Sequence, residues 1–286
     1  MAAGSSSFAF ETQRLQRLWM LRDYDLHPDL VAMMKEVLQA HKSASDILFR
    51  AAFWSYVRDT WVIESAICSD AADMVMQQLD ESPGDVKSLS QACAKAGTPS
   101  PAKQAQKLRN IYGTVCWLYG PDLQQHRLTQ DWDLDFCQQV HRRLMNNLGV
   151  PSAFRTSDSA PSGSTKLYER PEHIGTRLLA LMGFVRSQAA QLSSSQIGEW
   201  VLLGTLFFSE FLSIHPFSNG NGRTARLLVS HLLLPALPVP FPIRGCDRAE
   251  YIDALARRHQ DTNNFHVRLA QLFCFSVRLH VANMRT

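Results

Sequence analysis

The segment after Ser45, DILFRAAFWSYVRDTWVIESAICS, keeps apolar residues three and four apart over several turns, a period that places them along one side of a helix and nowhere along one side of a strand. It predicts one long helix, and helical periodicity extends over Pro28 to about Leu79. Further helices are expected at Lys103–Leu118, Asp133–Asn147, Pro171–Gln191, Ser194–Ser213, Gly222–Leu234, Ala249–His259 and Phe265–Met284. No series of strand patterns interrupts them, and β-branched runs are scarce, so the expected fold class is all-α. The polar stretch from Glu81 to Pro101, rich in Ser, Gly and Pro, reads as a linker or loop and suggests a boundary near residue 100. Pro151–Thr165, PSAFRTSDSAPSGST, consists of turn formers and small residues and reads as a mobile surface segment. The expected organisation is a flexible tail over 1–25, an N-terminal helical region over 26–100, and a catalytic domain over 101–286.

Length and charge narrow the class. A chain of 286 residues can bury a substantial core. A formal charge of +3, with Lys and Arg spread along the chain, gives no sign of a nucleic-acid or membrane surface. The six cysteines stand far apart with no CxxC pair, against a zinc knot or a disulfide scaffold. No signal-peptide core is legible near the N-terminus. The apolar runs Val201–Ile214 and Leu227–Ile243 carry Glu210, and His231 with four prolines, so both are expected as core helices rather than membrane spans. The expectation is a protein of the cytoplasm or nucleus.

Chemistry concentrates in HPFSNGNGRTAR, His215–Arg226, between an apolar helix and the start of a second one near Gly222. Gly220 and Gly222 bracket Asn221, and glycine lets the backbone take positive φ and turn its amides inward at a helix start. Such a turn, with the partial positive charge of the helix N-terminus, cradles phosphate. Arg223 and Arg226, three residues apart in the first turns, are expected on neighbouring parts of one face, where they clamp further phosphate oxygens. His215 precedes a helix-breaking proline and is expected to project beside the cradle, with a pKa suited to taking a proton near neutrality. A lone His-Pro or a lone Gly-x-Gly is usually only structural. Twelve residues of these types in order are a different matter.

The string resembles the Fic signature, HPF-x-[D/E]-GNGR-x-x-R, at every position but one, and the chain is identified on it as resembling the Fic family. Val140–Thr156 is similar to the helix and the segment before the family's substrate flap, and Lys166–Val185 resembles the flap's return and the helix after it. The resemblance covers about residues 105–275. It implies a Fic-type helical core with a short flap, open to being a β-hairpin, and an N-terminal helical segment packed on it. The implied reaction is AMPylation, the transfer of AMP from ATP to a Ser, Thr or Tyr hydroxyl of a target protein. His215 is similar to the base, Asn221 with Gly220, Gly222 and the surrounding amides resembles the anion hole, and Arg223 and Arg226 match the phosphate-binding arginines. Family members hold Mg²⁺ through the motif's acidic residue. Here that position is Asn219, an amide with no charge, so affinity for Mg²⁺ or Mn²⁺ is expected to fall.

Thr60–Ser65, TWVIES, resembles the family's inhibitory [S/T]-x-x-x-E-[G/N] helix and departs at its last position. Thr60 and Glu64 are four apart and share a helix face. The resemblance implies that Glu64 pairs with Arg226 and restrains the enzyme from within, and that Glu64 also orients a water for deAMPylation. The family's adenine-binding pattern is only loosely met by Tyr251, Leu255, His259, Gln260 and Asp261. The expected partners are ATP and a target protein docked by strand addition at the flap, around Phe154–Tyr168, with a homodimer left open. Two alternatives stay open. One is a catalytically impaired nucleotide-binding regulator; the other is a Fic-fold transferase with a different donor, such as UTP or a phosphocholine donor.

Overall fold

The computed structural model describes the backbone of residues 2–20, 46–65, 69–119, 132–160 and 167–236, and the side chains of these except 2–7, 20, 46–52, 63–65, 69 and 70. Among the described residues the regular structure is entirely α-helical, with no strand. In chain order the helices are α1 (Ala2–Met20), α2 (Asp46–Ser65), α3 (Ser69–Glu81), α4 (Val86–Lys95), α5 (Pro101–Tyr119), α6 (Leu134–Leu144), α7 (Pro171–Ala189), α8 (Ile197–Ile214) and α9 (Asn221–Leu232).

Helix α8 is the centre. Every residue from Trp200 to Phe211 is buried, and a helix that is apolar on all sides is stable only when neighbours enclose it. It is the one described helix long and apolar enough to cross a membrane, and 78% of it is buried inside the protein. The expectation of a core helix holds. Helices α7 and α9 flank it. At Gly204 a Cβ would sit 3.3 Å from Val229 and 3.4 Å from Leu233, so the missing side chain sets how closely α8 and α9 approach. Trp132, Phe136, Phe207 and His231 form an aromatic cluster beneath α9. Fully burying one such side chain stabilises by about 1.5–3 kcal/mol.

Local signals set the other boundaries. Asp133 caps α6 by accepting from the Phe136 amide at 2.8 Å, and Pro171 opens α7, where a missing N–H costs nothing. The stretch 81–101, expected as linker, contains α4. Asp85 caps it by accepting from the Lys87 and Ser88 amides at 2.9 and 3.1 Å, and Leu89, Ala92 and Cys93 are buried from it. Three apolar side chains three and four apart suffice to seat a ten-residue helix on α5, against a composition that reads as loop.

The tail expected over 1–25 is also corrected. Helix α1 lies along α7, with Leu15 and Trp19 buried and Trp19 edge-on to Phe184 at 6.3 Å. Helix α2, the long helix expected after Ser45, packs on α5 through Trp54 and Tyr112, stacked at 5.5 Å. The expected helices at 249–259 and 265–284 lie outside the described residues. Among the described residues Cys93, Cys116 and Cys137 are free thiols, and burial pushes all three upward in pKa.

Candidate active site

Helix α8 ends because Pro216 excludes His215 from the right-handed helical region. His215 takes the left-handed conformation instead, at φ 51° and ψ 59°, while its amide still donates to Phe211 O at 2.9 Å. A left-handed residue other than glycine is uncommon, and histidine is among the tolerant types. The turn swings the imidazole out of line with α8 and against the flap, where its ring stacks on Tyr168 with centroids 3.8 Å apart and planes 7° apart. Burial, and then the charge of Arg155, lower the His215 pKa to about 4. The expectation of titration near neutrality is therefore corrected. The ring is neutral at pH 7, which leaves a lone pair to accept a proton.

The turn into α9 is built around Gly220, at φ 80°. A Cβ there would meet the flexible tip of Met145, Cε at 2.4 Å, and His141 Nε2 at 3.4 Å; the positive φ is what requires glycine. His141 is fully buried and stacks on Phe217 at 3.6 Å; its Nε2 donates to Asn219 O at 2.9 Å. Burial lowers its pKa to about 4, so it is a neutral donor that holds the loop rather than an acid or base. Asn221 is 2% exposed. Its Oδ1 accepts from the Phe217 amide at 2.9 Å and its Nδ2 donates to Phe217 O at 2.7 Å. The Asn221 side chain braces the loop from both amide ends, and what it offers an anion is its backbone N–H. The amides of Asn221, Gly222 and Arg223 open α9, where a helix has no internal acceptors for them.

Arg223 and Arg226 are each 6% exposed. A Cβ on Gly222 would lie 3.4 Å from an Arg226 guanidinium nitrogen, so that side chain folds back over the first turn. The charge of Arg223 is felt at His141 of α6, and that of Arg226 at Tyr56 of α2. Tyr56 and Thr60, 0% and 2% exposed, lie one turn apart on α2. Glu64 follows Thr60 by four residues in α2. Its backbone belongs to α2, and its side chain lies outside the described residues, as do Tyr251, Leu255, His259, Gln260 and Asp261.

Arg155 had no part in the sequence reading of the site. It is 6% exposed, and its guanidinium donates to His215 O at 2.7 Å, Ser157 O at 2.8 Å, Ile214 O at 3.2 Å and Glu169 O. Its own amide donates to Pro216 O at 2.9 Å. One buried cation therefore ties the flap to the His215 turn, its charge solvated by carbonyl dipoles. The flap's described arms join where the Tyr168 amide donates to Ser159 O at 2.8 Å, and they form no strand, so the hairpin left open is not found among the described residues.

At the position of the motif's acid, Asn219 presents an uncharged amide oxygen to any Mg²⁺ that arrives with a nucleotide. Asn219 Oδ1 accepts from the Gly220 amide at 2.6 Å, which uses one of its two lone pairs. Magnesium sites usually combine one or two carboxylates with substrate phosphates and water, so the amide is expected to weaken metal affinity.

Residues 131–233 match the Fic/DOC family model. That stretch is similar to a Fic/DOC domain. His215, Arg155 and the α9 cradle all fall inside the Fic match. The chain is 28% identical over 133 residues to a protein adenylyltransferase Fic of Nematostella vectensis, covering 46% of this chain and 30% of the relative. It is 33% identical over 93 residues to a Fido domain-containing protein of Dictyostelium discoideum, covering 32% of this chain and 60% of the relative. The chain thus spans less than two thirds of the length of these curated relatives. A solved Fic family protein from Desulfovibrio desulfuricans superimposes with a TM-score of 0.64 at 18% identity, covering 92% of this chain and 77% of that one, and shares the helical Fic fold.

Proposed function

We propose that this protein is a protein adenylyltransferase that moves AMP from ATP to a Ser, Thr or Tyr hydroxyl, with His215 as base. The observation that carries this reading is an imidazole, fixed in a left-handed turn against the flap, beside a helix start that holds two buried arginines. The hydroxyl oxygen of the target forms a bond to the α-phosphorus, and its proton passes to His215. The bond from that phosphorus to the bridging oxygen breaks, and pyrophosphate leaves. Charge on the phosphates is met by the first-turn amides of α9 and by Arg223 and Arg226. The relative named as an adenylyltransferase supports the reaction class. Glu64, four residues after Thr60 on α2, restrains the enzyme by occupying the Arg226 guanidinium, and in the reverse direction orients a water for deAMPylation.

A second reading is favoured by Asn219, whose side-chain oxygen is already engaged: a nucleotide-binding regulator that turns over slowly or not at all. Transfer of label from α-³²P-ATP, with Mg²⁺ or Mn²⁺, separates the two. Label is expected with Glu64→Gly and is expected to vanish when His215→Ala is added. Label that appears only after Asn219→Asp is added would support the regulator.

A further inference from the structure

Tyr168 sits where the flap meets the proposed base. Its ring covers one face of the His215 imidazole in near-parallel contact, at 3.8 Å between centroids and 7° between planes. The phenol ring is held from both sides in sequence. On one side its amide donates to Ser159 O across the flap at 2.8 Å. On the other, Glu169 O accepts from Arg155, the same guanidinium that holds His215 O and Ile214 O.

The Glu169 carboxylate is anchored in turn. It pairs with Arg177 of α7, which also reaches Glu210 of α8 at 3.3 Å and Glu11 of α1 at 3.4 Å; His173 lies 3.3 Å from it. Glu210 is 2% exposed and pairs with Arg14 of α1 as well. Tyr168 is thus fixed at a point where the chain has no regular secondary structure, by groups from α1, α7, α8 and the flap.

From this juxtaposition we infer that Tyr168 is the positioning residue for His215, fixing the imidazole plane so that only its edge meets the incoming target hydroxyl. The inference rests on the reading of His215 as base. A ring lying on one face blocks hydroxyl approach from that side and limits rotation about the bond that carries the imidazole. When the ring takes the target's proton, the imidazolium lies over the face of a tyrosine, whose quadrupole attracts a cation. The phenol itself stays protonated, because burial raises its pKa. Leu167, its neighbour on the same flap arm, is 56% exposed.

The test compares Tyr168→Leu and Tyr168→Phe in the Glu64→Gly background, with His215→Ala as control. The measurements are transfer of α-³²P-AMP under saturating ATP, ATP affinity by calorimetry, and the ring-proton shifts of His215 by NMR. Tyr168→Leu is expected to lower kcat roughly 10²-fold, the scale of misplacing a reacting group by about an ångström, with ATP affinity within about twofold. It is also expected to erase the upfield ring-current shift of the His215 protons. Tyr168→Phe, which keeps the face and loses only the hydroxyl, is expected to restore most of the turnover and the shift. Transfer by Tyr168→Leu at the parent rate, or a Tyr168→Phe defect equal to that of Tyr168→Leu, overturns the proposal alone. Transfer that survives His215→Ala overturns the reading of the base, and the proposal falls with it.

Discussion

At the scale of single residues, the site depends on two positions with left-handed backbone, His215 and Gly220. They do different work. His215 accepts a strained conformation because Pro216 forbids the helical one, and the strain aims a side chain. Gly220 has no side chain to aim, and its turn presents the α9 amides. Gly220→Ala is expected to lower the free energy of unfolding by about 1–2 kcal/mol, the cost of a left-handed residue bearing a Cβ, as read by urea denaturation. The tip of Met145 can swing from the new methyl, so backbone conformation sets the size of the loss. The glycine pattern was legible in the sequence because its physical requirement is local. The role of Asn221 was not, since its amide is turned onto Phe217 by the closing of the loop.

At the scale of elements, the flap and the His215 turn are separate pieces of chain that one guanidinium joins. Arg155→Lys keeps the charge but gives three donors on a flexible stem where a planar fork reaches four carbonyls. The expected outcome is a loss of about 1.5–3 kcal/mol of stability, the range for a hydrogen bond to a charged group. Turnover is expected to fall by more than ATP affinity does, because the lost contacts hold the base and not the phosphate cradle. Thermal denaturation and calorimetry check both parts; undiminished stability would mean that the carbonyls find other donors. Helix α4 teaches a related lesson. Its polar composition hid it, and its seat on α5 and the Asp85 cap made it.

At the scale of the whole molecule, two histidines are held neutral by burial, His141 under the motif loop and His215 against the flap. Both have pKa values lowered to about 4, against about 6.5 in an unfolded chain. Between those values the unfolded chain binds more protons than the folded one, so acidification favours unfolding. Their contribution to stability is complete above about pH 6.5 and is lost as pH falls toward about 4. The melting temperature is therefore expected to drop across this window. His141→Gln, which keeps an N–H for Asn219 O and removes the titrating ring, is expected to make the drop shallower, as followed by circular dichroism at several pH values. Equal slopes in the two proteins would assign the acid sensitivity to other groups.

What the sequence determined by itself was whatever depends on near neighbours in the chain. Helical periodicity marked α2, α5, α7 and α8, and the ordered motif marked the turn at His215, the glycine hinge and the two arginines. What only the tertiary structure decided were the pairings across long separations. Arg155 reaches the His215 turn sixty residues away, His141 reaches Asn219 across seventy-eight, and Tyr168 lies on His215. A buried cation and two buried rings carry no local pattern. Their partners are backbone carbonyls and ring faces, which every sequence has, and only packing chooses among them.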